Sequence, residues 1–247
     1  MEKNRLTKAQ VKWVRSLQNK KVRDELGLFV AEGEKCVNEL KDAFRLELLV
    51  TPGNATETEI EQMSSLRTPQ GVIAVFHKDN ETLADTHNGK EDSGLVVALD
   101  GVQDPGNMGT ILRTCDWFGV REVYCSRDTA DCFNPKVVQA TMGALARVRV
   151  RYVDLAEWLQ CRKMAGTPVY GTLLDGRDMY EAGAIGNAGT GVVVMGNEGS
   201  GLSAEVRQIV THPLYIPHYP RDAKTSESLN VSIATAVVLA EFRRRLL

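Results

Sequence analysis

The strongest constraint on the fold is a series of short strand-like runs, most plainly Leu95 to Leu99 and Val192 to Met195, separated by stretches with helical spacing. A strand that is apolar at every position buries both faces, as strands do in a parallel sheet covered by helices, not in a hairpin with one wet face. The runs Glu122 to Cys125, Arg147 to Tyr152, Pro168 to Leu173 and Leu214 to Ile216 complete the set. Between and after them, helices are expected at about Met108 to Phe118, around Val137 to Ala146, and at Leu155 to Met164, Ser203 to Val210 and Leu229 to Leu246. This order predicts an α/β domain with a mostly parallel sheet over 95–247, whose ligands bind at the carboxyl ends of strands.

Residues 1–77 read as a separate small α/β unit. A basic helix is followed by the strand Gly27 to Val30, a helix from Glu34 to Leu40, and strands at Leu46 to Val50 and Val72 to Phe76. Residues 78–94 are polar and nearly free of apolar side chains, which is linker composition. No apolar run approaches a membrane span, and the polar, basic start is not a signal peptide, so a cytoplasmic protein is expected. The five cysteines are scattered with no C-x-x-C pair; they read as small buried hydrophobes, with neither a disulfide framework nor a metal site expected. The formal net charge is only -2, yet Met1 to Arg23 carries Lys12, Arg15, Lys20, Lys21 and Arg23 among its cations, opposed only by Glu2. That surplus is either a footprint for a polyanion such as RNA or a solvated helix face.

Three loops at or just beyond predicted strand ends carry the candidate chemistry. In the first, Asp104-Pro105-Gly106-Asn107-Met108-Gly109 leads into a helix whose buried stripe is Met108, Ile111, Leu112, Cys115 and Phe118. Asn107 then sits at the helix mouth with Arg113 about one and a half turns deeper. The pair suits a ribose or phosphodiester, unless the loop is merely a turn and Arg113 a solvated charge. The second loop runs from Gly196 through Asn197, Glu198 and Gly201. It is glycine-rich, but Glu198 would repel a phosphate and no lysine follows, so neither a P-loop nor a dinucleotide fingerprint is met. A cationic or hydroxyl-rich ligand fits better, and S-adenosylmethionine meets that description; a tight turn capped by Ser203 is the plainer alternative. The third, Ser228-Leu229-Asn230-Val231-Ser232, opens the last helix, with Ser226 or Ser228 as N-cap and Leu229, Ile233, Ala236, Val237 and Ala240 as the core stripe.

Taken in order, Asp-Pro-Gly-Asn-x-Gly with Arg113, Gly-Asn-Glu-x-x-Gly-Leu, and Ile216-Pro217 followed by Ser-Leu-Asn-Val-Ser resemble the SpoU (TrmH-like) family of SPOUT RNA methyltransferases. Residues Gly27 to Gly33 and Thr68-Pro69-Gln70-Gly71 resemble that family's substrate-binding module, of ribosomal-protein L30e-like fold. The resemblance implies a mostly parallel sheet with helices on both faces and a deep trefoil knot, S-adenosylmethionine bound in the knot, and a homodimer. It also implies a methyl transfer to a ribose 2′-hydroxyl of RNA, with ribosomal RNA preferred over transfer RNA. By the same carry-over Asn107, Arg113, Glu198, Ser228 and Asn230 form the catalytic cluster. Gly196, Ile216 and Leu229 contact the donor, with Thr172, Leu173 and Gly201 as further candidates, and no metal is expected. One stretch departs from the family pattern: His218 to Glu227 is a longer loop lacking the usual glycine, in which Arg221 and Lys224 either add RNA contacts or are solvated. The competing reading is an RNA-binding protein that kept the fold without turnover. A nucleotide-dependent oxidoreductase is disfavoured by the missing fingerprint.

Overall fold

A computed structural model describes residues 5–78, 94–221, 226 and 228–247. Most of the expected linker, and Lys224, lie outside these. Among the described residues, those up to Lys78 together with Asp131–Arg147 form one unit, and the remainder, from Gly94 to Ala130 and from Val148 to Leu247, form the other.

In the first unit, α1 (Lys8–Ser16) starts at a capping box: Thr7 Oγ1 accepts from the Gln10 amide at 3.2 Å, and Gln10 Oε1 accepts from the Thr7 amide at 2.9 Å. After α2 (Lys20–Leu26), Gly27 at φ +64° turns the chain into β1 (Leu28–Glu32), a conformation glycine adopts without penalty. Then come α3 (Glu34–Leu40), β2 (Leu46–Val50), α4 (Glu57–Met63) and β3 (Ile73–His77), and the antiparallel sheet has the order β1-β3-β2. Val14 and Leu17 pack with Val30, Val50, Met63 and Val75 to form its core. Composition alone assigns Asp131–Arg147 to the second domain, but the structure packs this stretch into the first unit. Phe133 packs against Phe29 with the rings tilted and 4.8 Å between their centres, Arg147 pairs with Glu39 at 2.7 Å, and Asp131 pairs with buried Arg23 at 2.6 Å.

The second unit is built on β4 (Leu95–Asp100), followed by α5 (Pro105–Trp117) and β5 (Glu122–Cys125). The chain supplies α6 (Pro135–Thr141) to the first unit and returns as β6 (Arg149–Tyr152) and α7 (Leu155–Met164). It continues with β7 (Val169–Asp178), β8 (Gly191–Gly196), α8 (Ala204–Ile209), β9 (His212–Tyr215) and α9 (Val231–Arg244). The six strands pair in parallel in the order β6-β5-β4-β8-β7-β9. Val96, Ala98, Val192 and Val194 share one apolar cluster with Leu155, Leu159, Val206 and Ile209, so α7 and α8 cover that face of the sheet. The intervening side chains Val97, Leu99, Val193 and Met195 project from the opposite face by the alternation of a strand, and they are buried as well. Strand β7 is longer than expected because a bulge between Thr172 and Arg177 lets both pair with Leu214.

α9 begins two residues later than expected and buries a different stripe. Val231, Thr235, Val238, Leu239 and Phe242 are inside, whereas Leu229 and Ile233 are about half exposed at 51% and 53%. The helix is apolar on more than one side, and its packing on α5 and β8 selects which side is buried. Four cysteines are buried as expected, but Cys161 is exposed. Burial pushes the thiols of Cys36 (to about 11) and Cys115 up, which removes the thiolate either would need as a nucleophile.

Candidate active site

The site grows from the register of the two central strands. Asp100 pairs with Gly196, so the loops leaving β4 and β8 emerge side by side, at the point where the strand order reverses around β4. Gly101, at φ +68°, turns the first loop, and its carbonyl accepts from Asn197 Nδ2 at 2.7 Å. Asp104 then caps α5, its Oδ1 accepting from the Asn107 amide at 2.8 Å with Pro105 at the first helical position. Asn107 is thereby fixed in the first turn.

The second loop is closed by its own backbone. Asn197 and Gly201 exchange two hydrogen bonds of 2.9 and 3.0 Å, and Asn197 Oδ1 accepts from the Gly199 and Ser200 amides at 2.9 and 3.1 Å. At Gly196 a Cβ would lie 2.4 Å from the Gly201 carbonyl carbon, so only glycine lets the two arms approach this closely. Asp100 Oδ2 fixes the exit by accepting from the Ser203 amide at 2.7 Å, and Ser203 caps α8. Asn197 is therefore spent on loop geometry. Glu198 is left exposed, its Oε1 accepting from Asn107 Nδ2 at 2.8 Å.

The third motif joins the same network by a route the sequence did not show. Asn230, not Ser226 or Ser228, is the N-cap of α9. Its Oδ1 accepts from the Ser232 amide at 3.0 Å, the Ser232 hydroxyl at 2.6 Å and the Ile233 amide at 3.3 Å. Its Nδ2 donates to Asn107 Oδ1 at 2.9 Å. One relay of donors thus runs from the start of α9 through Asn230 and Asn107 to Glu198, tying together residues from all three motifs.

Beside the relay lies a cleft of about 1140 Å³. Every residue named from sequence as a donor contact lines it: Gly196, Ile216, Leu229, Thr172, Leu173 and Gly201, and so do Glu198, Ser228 and Asn230. Asn107 and Arg113 are not part of the lining. Arg113 is exposed on α5, and its side chain makes no hydrogen bond or ion pair with the described residues. The sequence reading missed Leu174, Asp175, Arg207 and His218 on the cleft wall; Asp175 and Arg207 form an ion pair there. Continuation of the apolar run beyond Leu173 into Leu174-Asp175-Gly176 was the available signal for the first two.

The basic residues of the first unit divide. Lys12 and Arg15 lie exposed on α1 with no side-chain partner among the described residues. Lys20 and Lys21 are exposed on α2 and pair with Asp24 (2.6 Å) and Glu25 (3.9 Å). Arg23 is buried, donating to the carbonyls of Leu17 (2.9 Å) and Gln18 (2.8 Å) and to Asp131, and this withdraws it from any RNA-facing surface. In the second unit Arg221 is exposed and forms an ion pair with Asp178.

Both parts of the chain match known families. The model described as the SpoU rRNA Methylase family matches residues 94–240, and that of the MRM3-like substrate binding domain matches residues 8–88. The 23S rRNA (guanosine(2553)-2′-O)-methyltransferase RlmP of Bacillus subtilis is 31% identical over 250 residues, which span 95% of this chain and 96% of that protein. Among solved structures, an AdoMet-bound rRNA methyltransferase from Sinorhizobium meliloti has a TM-score of 0.82 at 33% identity, covering 98% of this chain and 97% of its own. A protein of the TrmH family from Porphyromonas gingivalis has a TM-score of 0.84 at 39% identity, with 97% and 99% covered. A family match over more than half of the chain, and a relative aligned with it almost end to end, make this protein a member of the SpoU rRNA methylase family.

Proposed function

We propose that the chain transfers a methyl group from S-adenosylmethionine to a ribose 2′-hydroxyl of ribosomal RNA. The observation that carries this reading is the relay from Asn230 through Asn107 to Glu198 at the edge of the cleft, with Arg113, on the helix that carries Asn107, unpaired among the described residues. The cleft suits the donor. Glu198 places negative charge where a sulfonium cation is favoured, Leu173, Leu202, Leu214 and Ile216 offer an apolar wall for the adenine, and the glycines of the second loop bare their backbone groups. When bound, the donor supplies a methyl group that is already activated.

The protein's task is alignment and stabilisation of the ribose oxygen as its proton passes to water. Guanidinium groups in proteins stay protonated, so Arg113 serves by stabilising the charge that develops on the ribose oxygen, not as the base. Asn107 spends one N–H on Glu198 and keeps a second with which to orient the ribose, and Ser228 at the cleft wall assists. Lys12, Arg15, Lys20 and Lys21 attract the RNA to the first unit. The homodimer that the family resemblance implies belongs to the same reading, and Trp117, 82% exposed on α5, is a residue it would cover. The knotted threading of the C-terminal segment belongs to the same reading. Ribosomal RNA is preferred because RlmP is named for a 23S rRNA guanosine.

Calorimetry with S-adenosylmethionine, joined to mass-spectrometric mapping of 2′-O-methyl groups in cells with and without the protein, tests the proposal. The expected result is donor binding and one ribose methyl lost from ribosomal RNA. Loss from transfer RNA would move the substrate, and absence of donor binding would leave an RNA-binding protein without turnover.

A further inference from the structure

We infer that Ser232 is a positioning residue, whose buried hydroxyl holds the Asn230 amide in the orientation that makes every donor of the relay point toward Glu198. The inference rests on the methyl-transfer reading for its kinetic consequence, but not for its geometry.

An asparagine amide has two ends of nearly equal size, and which end faces which partner is decided by the surrounding donors and acceptors. At Asn230 the Oδ1 end meets three donors: the backbone N–H groups of Ser232 and Ile233 and the Ser232 hydroxyl, the last making the shortest contact at 2.6 Å. With Oδ1 so held, Nδ2 has to face Asn107, and its donation to Asn107 Oδ1 in turn directs the Asn107 Nδ2 at Glu198. All the donors run one way, from the electropositive start of α9 to a carboxylate, and aligned hydrogen bonds polarise one another. The remaining Asn107 N–H is then aimed in one fixed direction.

Ser232 stands in the first turn of α9, where the carbonyl four residues back precedes the helix, so its hydroxyl has a different acceptor from those deeper in the helices. Thr110, Thr114 and Thr235 each return their proton to the carbonyl four residues earlier, on Gly106, Thr110 and Val231. Ser232, only 5% exposed, instead donates to the cap side chain. Capping by itself does not require this, because two backbone N–H groups already satisfy Asn230 as an N-cap. The two backbone N–H groups, which can only donate, decide which end of the amide faces them; what the hydroxyl adds is a third and shortest bond that holds the Oδ1 end in place.

Ser232→Ala leaves both backbone donors and removes only the hydroxyl, and its unfolding midpoint checks that the chain still folds. In nitrogen-15 NMR of the protein without donor or RNA, the side-chain amide resonance of Asn107, assigned by its loss in Asn107→Ala, shifts in Ser232→Ala. With donor and RNA, kcat falls about tenfold while KM and donor affinity stay within about twofold. In the Asn107→Ala background the same change has no further effect, as expected for residues acting in one chain. An Asn107 resonance that does not move, or losses that multiply, would overturn the inference. A wild-type protein that neither binds the donor nor methylates RNA sinks the proposed function instead, and the resonance still decides the role of Ser232.

Discussion

At each end of α9 a glutamate is held by nitrogen donors, and the two are held in opposite ways. At the C-terminal end Glu241 is buried and accepts from Arg244 Nε and Nη2 at 2.7 and 2.8 Å and from Arg245 Nε at 2.7 Å. Arg245 goes on to the carbonyls of Met179 (2.6 Å) and Ile185 (3.4 Å), so the cluster fastens the helix end to the segment after β7. At the N-terminal end Glu198 is exposed and, among the described residues, receives one neutral amide proton, from Asn107, which leaves most of its lone pairs unspent on them beside a cleft. A carboxylate saturated by cations has nothing left for a ligand and serves the fold; one held by a single amide is oriented yet still available. A similar test sorts Arg23, whose Nη1 and Nη2 are spent on two carbonyls and Asp131 although its buried Nε has no partner among the described residues, from Arg113, whose guanidinium is free among the described residues.

The largest effect expected from this contrast is at Arg113. Arg113→Ala should lower methyl transfer about 10²- to 10³-fold, the loss typical when one preorganised donor is removed from a developing charge. Donor affinity by calorimetry should hold within about twofold, since Arg113 is not part of the cleft wall. If donor binding fell as well, Arg113 would be part of the fold and the contrast would break there. Next comes Asn230→Asp. Aspartate caps a helix as well as asparagine does, so the unfolding free energy should stay within about 0.5 kcal/mol. It cannot donate to Asn107, however, and it sets a second negative charge near Glu198, so activity should fall about 10- to 100-fold. A stability loss matching the activity loss would reduce the relay to a cap.

How much of this is readable without coordinates differs from residue to residue. Strands such as Leu95–Asp100 and Gly191–Gly196 are plain because burial on both faces demands unbroken apolar runs. Asn107 at the mouth of α5 follows from Asp104-Pro105, which is local chemistry. The placing of Ile216 and Leu229 on the cleft comes from family resemblance, since nothing in an isoleucine or leucine announces a ligand. Two errors are physical in origin. Helical spacing puts the buried stripe of α9 on Leu229, Ile233 and Val237, because a helix apolar on several sides does not reveal which side its neighbours cover. Arg23 counts with the surface cations because its partner, Asp131, lies far away in sequence, on a segment that returns to the first unit from within the second.

Glu241→Gln probes the saturated end, and its effect should be on stability alone. The variant should lose about 1–2 kcal/mol at neutral pH by denaturant unfolding, less than a fully buried pair would cost because Arg244 is largely exposed. Activity per folded molecule should be unchanged. The hydrogen bond from Arg244, followed by that from Arg245, holds the Glu241 carboxyl down at about 2 despite its burial. A depressed pKa stabilises the fold above the ordinary glutamate value of 4.5, and that contribution is lost as the pH falls through about 2. The stability gap between wild type and variant should therefore be full at neutral pH and close progressively between about pH 4.5 and 2. Asp24, also held down to about 2, chiefly by Lys20, titrates in the same window in both proteins and cancels in the difference. A gap that does not depend on pH would mean that the glutamine variant fails through packing and that the ion cluster contributes nothing.

The smallest effect belongs to the open cations of α1. Lys12 and Arg15 are exposed without a partner among the described residues, so reversing both charges, Lys12→Glu with Arg15→Glu, removes nothing the first unit needs, and its unfolding should change by less than about 0.5 kcal/mol. RNA affinity should weaken modestly at low salt, and the slope of log affinity against log salt should become shallower by about one to two, roughly one unit for each phosphate no longer neutralised. Arg23→Ala is the control from the buried, ion-paired class. It strands Asp131 without its cation and should destabilise the unit by about 3 kcal/mol, leaving the salt slope of the remaining folded protein intact. If the α1 reversal left the salt slope unchanged while Arg23→Ala altered it, unspent hydrogen-bonding capacity would not be what marks a ligand-facing group in this protein.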